Sequence, residues 1–192
     1  MNQNASYPKT RRLAESALMI ALATLLSEIK FGGLWAFGGG VTLCSMVPLV
    51  LISYRWGVRG GSFTAFAYSL LQLLLGVDNI QYATGIGMAA VMILLDYIIA
   101  YTVVGAASMF RGRFRSRRTG IILGIIITLG IRFFCHFITG WMIWDALWPN
   151  EFGMAAPVYS LIYNGSYMLP ETILTAAVCC LLVPWAEDHL AK

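Results

Sequence analysis

The chain has 192 residues, of which 59% are hydrophobic and 11% charged, and its net charge is +4. Soluble domains run nearer 45–50% apolar and about 25% charged. The composition therefore excludes an ordinary soluble enzyme, a disordered chain and a nucleic-acid binder. It predicts one all-α polytopic membrane domain over residues 1–192, with short polar tails at about 1–12 and 185–192.

Six membrane-spanning helices are predicted in chain order. The first runs from Leu13 to Ile29 and the second from Val41 to Ser53, a short segment carrying Pro48. The third runs from Gly61 to Leu75, the fourth from Thr84 to Phe110. The fifth covers Gly120 to Trp144 and the sixth Val158 to Val183. Turn residues punctuate them: Gly38-Gly39-Gly40, the stretch from Arg55 to Gly60, Gly76 to Asn79, and Trp148-Pro149-Asn150 with Pro157.

The basic residues set the orientation. Lys9, Arg11 and Arg12 precede the first span, and Arg55 and Arg59 lie between the second and third. Arg111, Arg113, Arg115, Arg117 and Arg118 lie between the fourth and fifth, and Lys192 ends the chain. All of these fall on one face, leaving Lys30 near the other face and Arg132 inside a span. The positive-inside rule puts both termini in the cytoplasm of a cell membrane. The arginine-rich loop reads first as a cytoplasmic anchor and second as a contact for lipid headgroups. The first apolar run ends in Ser27-Glu28-Ile29-Lys30 with no small-residue cleavage site, so it reads as a retained helix.

Several chemistries lack their motifs. There is no G-x-x-x-x-G-K-[ST] phosphate loop, no H-E-x-x-H pair and no G-x-S-x-G elbow. The four cysteines Cys44, Cys135, Cys179 and Cys180 lie in apolar stretches without C-x-x-C spacing, which argues against a metal site or a disulfide framework. The expectation is a protein that is not an enzyme and has no cofactor.

An ionisable side chain inside a span is costly, and marks a site by default. Asp96, Arg132, His136 and Glu171 stand out. On an α-helix, Arg132, His136, Gly140 and Trp144 form a slowly winding stripe on one face. The stripe combines a cation, an imidazole, a bare backbone patch and a flat aromatic ring. Asp96 calls for a cation, either Arg132 or a cationic ligand. Ser160 and Asn164 share a face one turn apart, just after Tyr159, and Asn164 offers both a donor and an acceptor. Glu171 reads as a hydrogen bonder inside the bundle. Ala17-x-x-x-Ala21 and Gly120-x-x-x-Gly124 are patterns that let helices approach closely.

Three stretches together resemble one family: Leu95-Asp96-Tyr97; Arg132-Phe133-Phe134-Cys135-His136 continued through Gly140 to Trp144; and Tyr159-Ser160-Leu161-Ile162-Tyr163-Asn164. They are similar to the thiamine-specific substrate-binding subunits (S components, ThiT family) of energy-coupling factor transporters. Gly38-Gly39-Gly40-Val41 leading to Pro48 is similar as well. The resemblance implies a thiamine pocket near the outer face. In it Trp144 would stack on a ring, Asp96, Tyr159 and Asn164 would bond the aminopyrimidine and help hold the cation, and Tyr97 would be a further substrate contact. His136 and Gly140 would line the thiazolium end, Arg132 stands where some members have Lys, and Trp35 would be a lid residue. It also implies that Ala17 and Ala21 dock on a membrane scaffold subunit, with two separate ATPase subunits supplying energy. The alternatives are an S component for another vitamin, a stand-alone permease and a membrane enzyme using His136 and Asp96.

Overall fold

The computed structural model describes residues 9–31 and 40–190. Helix α1 is Lys9–Glu28. It is followed by a two-residue antiparallel pairing of β1, Lys30–Phe31, with β2, Val41–Thr42. The second predicted helix therefore begins later than its apolar run. Helix starts at Val47, with Pro48 in the first turn. That is where proline's missing N–H costs nothing and its fixed φ suits the helix. Cys44 makes the turn between β2 and this helix with φ of 56°.

The helical run Val47–Leu75 is divided at Gly57, whose φ of 71° and ψ of 177° lie outside helical values. Glycine adopts this conformation without a Cβ penalty. Ser53 and Gly61 would lie about 12 Å apart along a continuous helix. Instead, a Cβ placed on Gly61 would lie 2.6 Å from the Ser53 Cα. The chain has doubled back, giving helix α2 (47–56) and helix α3 (58–75). The predicted six-residue loop between them is a break at one residue.

A 3-10 turn at Val77–Tyr82 leads to α4, Ile86–Phe110; α5 is Arg117–Leu147 and α6 is Ala156–Leu190. These last three helices are long and apolar enough to cross a membrane. They and α1 leave large side chains such as Leu13, Leu94, Phe134 and Leu181 exposed. For a chain with so few charges, that outward face matches lipid rather than water.

Glycine sets the closest helix approaches. A Cβ on Gly61 or Gly105 would strike the other's backbone, so α3 and α4 cross nearly in backbone contact. Gly120 and Gly124 do the same for α5 against the carbonyls of Phe110 and Ala107, so this small-residue pattern packs inside the bundle. Around them Tyr68, Leu49, Val50, Val104, Ile125 and Cys179 form the apolar core.

Ion pairs gather the basic residues at one end. Arg55 meets Glu15 at 3.2 Å, Arg111 meets Glu187 at 2.8 Å and Arg117 meets Asp188 at 2.9 Å. At the other end, Tyr82 packs edge-on against Trp148, with ring centroids 4.7 Å apart. The candidate site lies toward that second end.

Candidate functional site

Two helices widen into π turns, and both do so at the same cavity. α4 is a π-helix over Ile93–Ile99, which holds Asp96 and Tyr97. α5 is a π-helix over Gly140–Trp144. Such wide turns shift the rotational register of the side chains that follow and are frequent at functional sites. The predicted α-helical stripe thus ends at Gly140. Trp144 reaches the cavity by way of the π turn.

The cavity has a volume of about 430 Å³, within the range of small-molecule sites. Asp96, Tyr97, His136, Gly140, Trp144, Tyr159 and Asn164 all line it. Seven of the nine predicted ligand contacts therefore come together from α4, α5 and α6. Trp35 lies outside the described residues, as do Gly38 and Gly39.

Arg132 is not in the lining, and its predicted pairing with Asp96 does not form. It lies deeper, 6% exposed, with its guanidinium 4.7 Å from the Tyr101 ring centroid. Its Nη1 is 3.9 Å from Glu171 Oε1. The reason is one of position: Arg132 is one turn below His136, at the level of Glu171 rather than of Asp96. Glu171 also accepts hydrogen bonds from Thr42 at 2.6 Å and Ser45 at 3.3 Å. It is a bundle-interior hydrogen bonder, and it ties β2 to α6.

Asp96, 8% exposed, is bonded instead by three donors from α5. Thr139 Oγ1 donates to Oδ1 at 2.5 Å and the His136 Nδ1–H donates to the same oxygen at 3.1 Å. The Trp144 indole N–H donates to Oδ2 at 3.0 Å. Among the described residues, no lysine or arginine pairs with this carboxylate. The result is a buried acid held in position by donors, the imidazole of His136 being its one basic neighbour among the described residues.

The opposite wall is built on α6. Asn164 donates to the Ser160 carbonyl at 3.0 Å and to the His136 carbonyl at 3.3 Å, and accepts from Tyr167 at 2.8 Å. Ser160 donates to the Phe137 carbonyl at 2.8 Å. These bonds lock α6 against α5 where Gly140 permits it: a Cβ there would collide with Ser160 Oγ and approach Asn164 Nδ2 at 3.1 Å. Gly140 therefore serves close helix packing at the cavity wall. Tyr97 turns its hydroxyl to the Gly76 carbonyl at 3.0 Å and receives a bond from Asn79 at 2.9 Å.

The sequence reading missed several lining residues. Trp148 stacks on Trp144 with centroids 5.7 Å apart and planes at 16°, covering one face of that ring. Asn79 enters from the 3-10 turn. Thr139, Tyr101 and Tyr163 line it too, as do Tyr167, Ser160 and a second carboxylate, Asp145. Helical spacing from His136, Tyr97 and Tyr159 is the signal for Thr139, Tyr101 and Tyr163, and spacing from Trp144 is the signal for Trp148; nothing local pointed to Asn79.

The family model for the thiamine transporter protein (Thia_YuaJ) matches residues 13–190. The thiamine transporter ThiT of Bacillus subtilis (strain 168) is 33% identical over 180 residues, 89% of each chain. That of Lacticaseibacillus paracasei is 31% identical over 156 residues, covering 74% of this chain and 73% of the relative. The solved structure of ThiT from Listeria monocytogenes superposes with a TM-score of 0.73 at 22% identity, covering 95% of this chain and 98% of that one. At that identity it speaks for the fold.

Proposed function

The chain belongs to the Thia_YuaJ family of thiamine transporter proteins, and from that premise we propose that it captures thiamine in the cavity between α4, α5 and α6. It is a membrane protein of a transporter family and not an enzyme. The observation that carries the proposal is Asp96: a buried carboxylate in an aromatic cavity, held by three donors and, among the described residues, paired with no lysine or arginine.

Thiamine brings what this site lacks. Its thiazolium carries a permanent positive charge and its aminopyrimidine offers a flat face with donors and acceptors. Asp96 supplies the countercharge, worth most where water is excluded. Trp144 contributes an aromatic wall, using the face that Trp148 leaves uncovered. Tyr97, Tyr159 and Asn164 meet the heterocycle edges, and His136 and Gly140 line the thiazolium end. Arg132 plays no direct part in this reading. By pairing with Glu171 it stays away from Asp96, which remains available to the ligand's charge.

We place six spans in the membrane, with the arginine-rich end and both termini in the cytoplasm and the cavity toward the outside. The distribution of basic residues supports this orientation. In this reading a separate energy-coupling module drives transport, in keeping with a sequence that has no phosphate loop of its own. Ala17 and Ala21 are exposed on α1, whereas Ala23 and Ser27 make its buried face. The bundle does not use Ala17 and Ala21, which supports their docking on a scaffold subunit served by two ATPases.

The test is a ligand panel. Purified protein is titrated with thiamine, riboflavin and biotin while tryptophan fluorescence is followed. Saturable quenching by thiamine alone is expected. Binding of another vitamin in its place overturns the assignment.

A further inference from the structure

Asn164 lies on α6, 4% exposed, and lines the candidate ligand cavity. Its Nδ2 donates to the Ser160 carbonyl at 3.0 Å and to the His136 carbonyl at 3.3 Å. A carbonyl oxygen only accepts, so this end of the amide is the nitrogen. An amide NH₂ has two protons, and each has a carbonyl to meet. The Ser160 hydroxyl lies 3.2 Å from the same nitrogen, but its own proton goes to the Phe137 carbonyl at 2.8 Å. It too acts on Asn164 only as an acceptor. The donor capacity expected of Asn164 from its sequence position is therefore committed within the protein.

The other end of the amide is held by Tyr167, three residues further along α6, whose hydroxyl donates to Oδ1 at 2.8 Å. Tyr167 lines the same cavity, and its ring packs edge-on against Tyr163 with centroids 5.8 Å apart and planes at 81°. An amide oxygen has two lone pairs, and Tyr167 occupies one. The second is the valence that Asn164 keeps for a ligand, and it is an acceptor. The donors of Thr139, His136 Nδ1 and Trp144 are committed to Asp96. Asp96 from α4 and Asn164 from α6 thus both meet a ligand as acceptors.

We infer that Tyr167 is a positioning residue for specificity: its hydroxyl fixes the Asn164 amide so that the site selects a heterocycle bearing an amino group over the same heterocycle bearing an oxo group. An amino group donates to Oδ1. An oxo group would set two acceptors face to face, leaving a buried oxygen unpaired. Sites built to bond a ligand's N–H discriminate strongly on this principle. Without the Tyr167 hydroxyl the oxygen loses its anchor, and the amide is free to turn an N–H toward the ligand. The inference rests on the thiamine reading and adds to it the feature of the aminopyrimidine that is read and the residue that keeps the reading exclusive.

The experiment is fluorescence titration of the full chain in detergent with thiamine and with its analogue in which the ring amino group is replaced by oxo. The wild type is expected to bind thiamine at least about tenfold more tightly than the oxo analogue. Tyr167→Phe keeps the ring and removes the hydroxyl, and is expected to narrow that ratio about threefold or more. Replacement of Tyr167 by 4-aminophenylalanine returns a donor to the same place and is expected to restore the wild-type ratio. A purely structural role would weaken both ligands alike and leave the ratio unchanged. An unchanged ratio in Tyr167→Phe, or a ratio narrowed as much by 4-aminophenylalanine, overturns the positioning role. Equal binding of the two ligands by the wild type overturns Asn164 as an acceptor. Absence of thiamine binding by the wild type overturns the proposed function and this inference with it, whereas thiamine binding with an unaltered ratio overturns this inference alone.

Discussion

Replacing Asp96 by Asn tests the role of the carboxylate charge with little change in shape. A thiazolium about 4 Å from the carboxylate gains about 4 kcal/mol at an effective dielectric of about 20. Desolvation of the ligand cation offsets part of this, leaving a loss of about 2–4 kcal/mol, or about 30- to 900-fold in affinity. The effect on folding is smaller. An asparagine carbonyl still accepts from His136 and Thr139, and Thr139 also has the His136 carbonyl within its own helix at 3.1 Å. Only the Trp144 N–H, now facing an amide NH₂, loses its acceptor, at a cost of about 1 kcal/mol. The assay is a fluorescence titration with thiamine and with an isostere whose thiazolium is replaced by an uncharged ring, alongside thermal unfolding. The expected result is a large loss for thiamine and a small loss for the isostere. Equal losses for both ligands, or intact thiamine affinity with a lowered melting temperature, would refute charge recognition and make Asp96 a structural residue.

Gly140→Ala places a methyl against Ser160 Oγ and Asn164 Nδ2. It is expected to cost about 1–3 kcal/mol of stability and to weaken binding by parting α5 from α6, read by thermal unfolding and titration together. Trp144→Ala removes a cavity wall and is expected to cost about 1–3 kcal/mol of affinity, by analogy with base–aromatic stacking; unchanged affinity removes Trp144 from the site. Ala17→Trp is expected to leave thiamine binding intact, since Ala17 is exposed and far from the cavity. It should block uptake when the chain is reconstituted with its energy-coupling subunits, and normal uptake would return α1 to an ordinary lipid-facing role.

Much of the candidate site was legible because its members are residues that a membrane interior tolerates poorly. Asp96, His136 and Asn164 stand out against apolar neighbours, and the need to satisfy them limits where they can point. The partners were not legible. Arg132 and Asp96 are both ionisable and in neighbouring spans, so Arg132 stood beside a cationic ligand as a partner for Asp96. Their relative height along the bundle decides otherwise, bringing Arg132 to Glu171 and Tyr101. Asn79 comes from a short 3-10 turn and Trp148 from the frayed end of α5, where the side chain's direction depends on how the chain leaves the helix.

Composition and patterning by themselves determined that this is a helical membrane protein and that its basic residues collect at one end; the stretches proposed for the site came from the family resemblance. The first two are consequences of transfer free energy, which acts on each residue with little regard to its partners. The tertiary structure decided what depends on distance. It showed the reversal at Gly57, the two π turns that converge on the cavity, and an Asp96 surrounded by donors but, among the described residues, without a lysine or arginine. Backbone register and helix depth are set by packing between segments far apart in the chain, and no local pattern of residues encodes them.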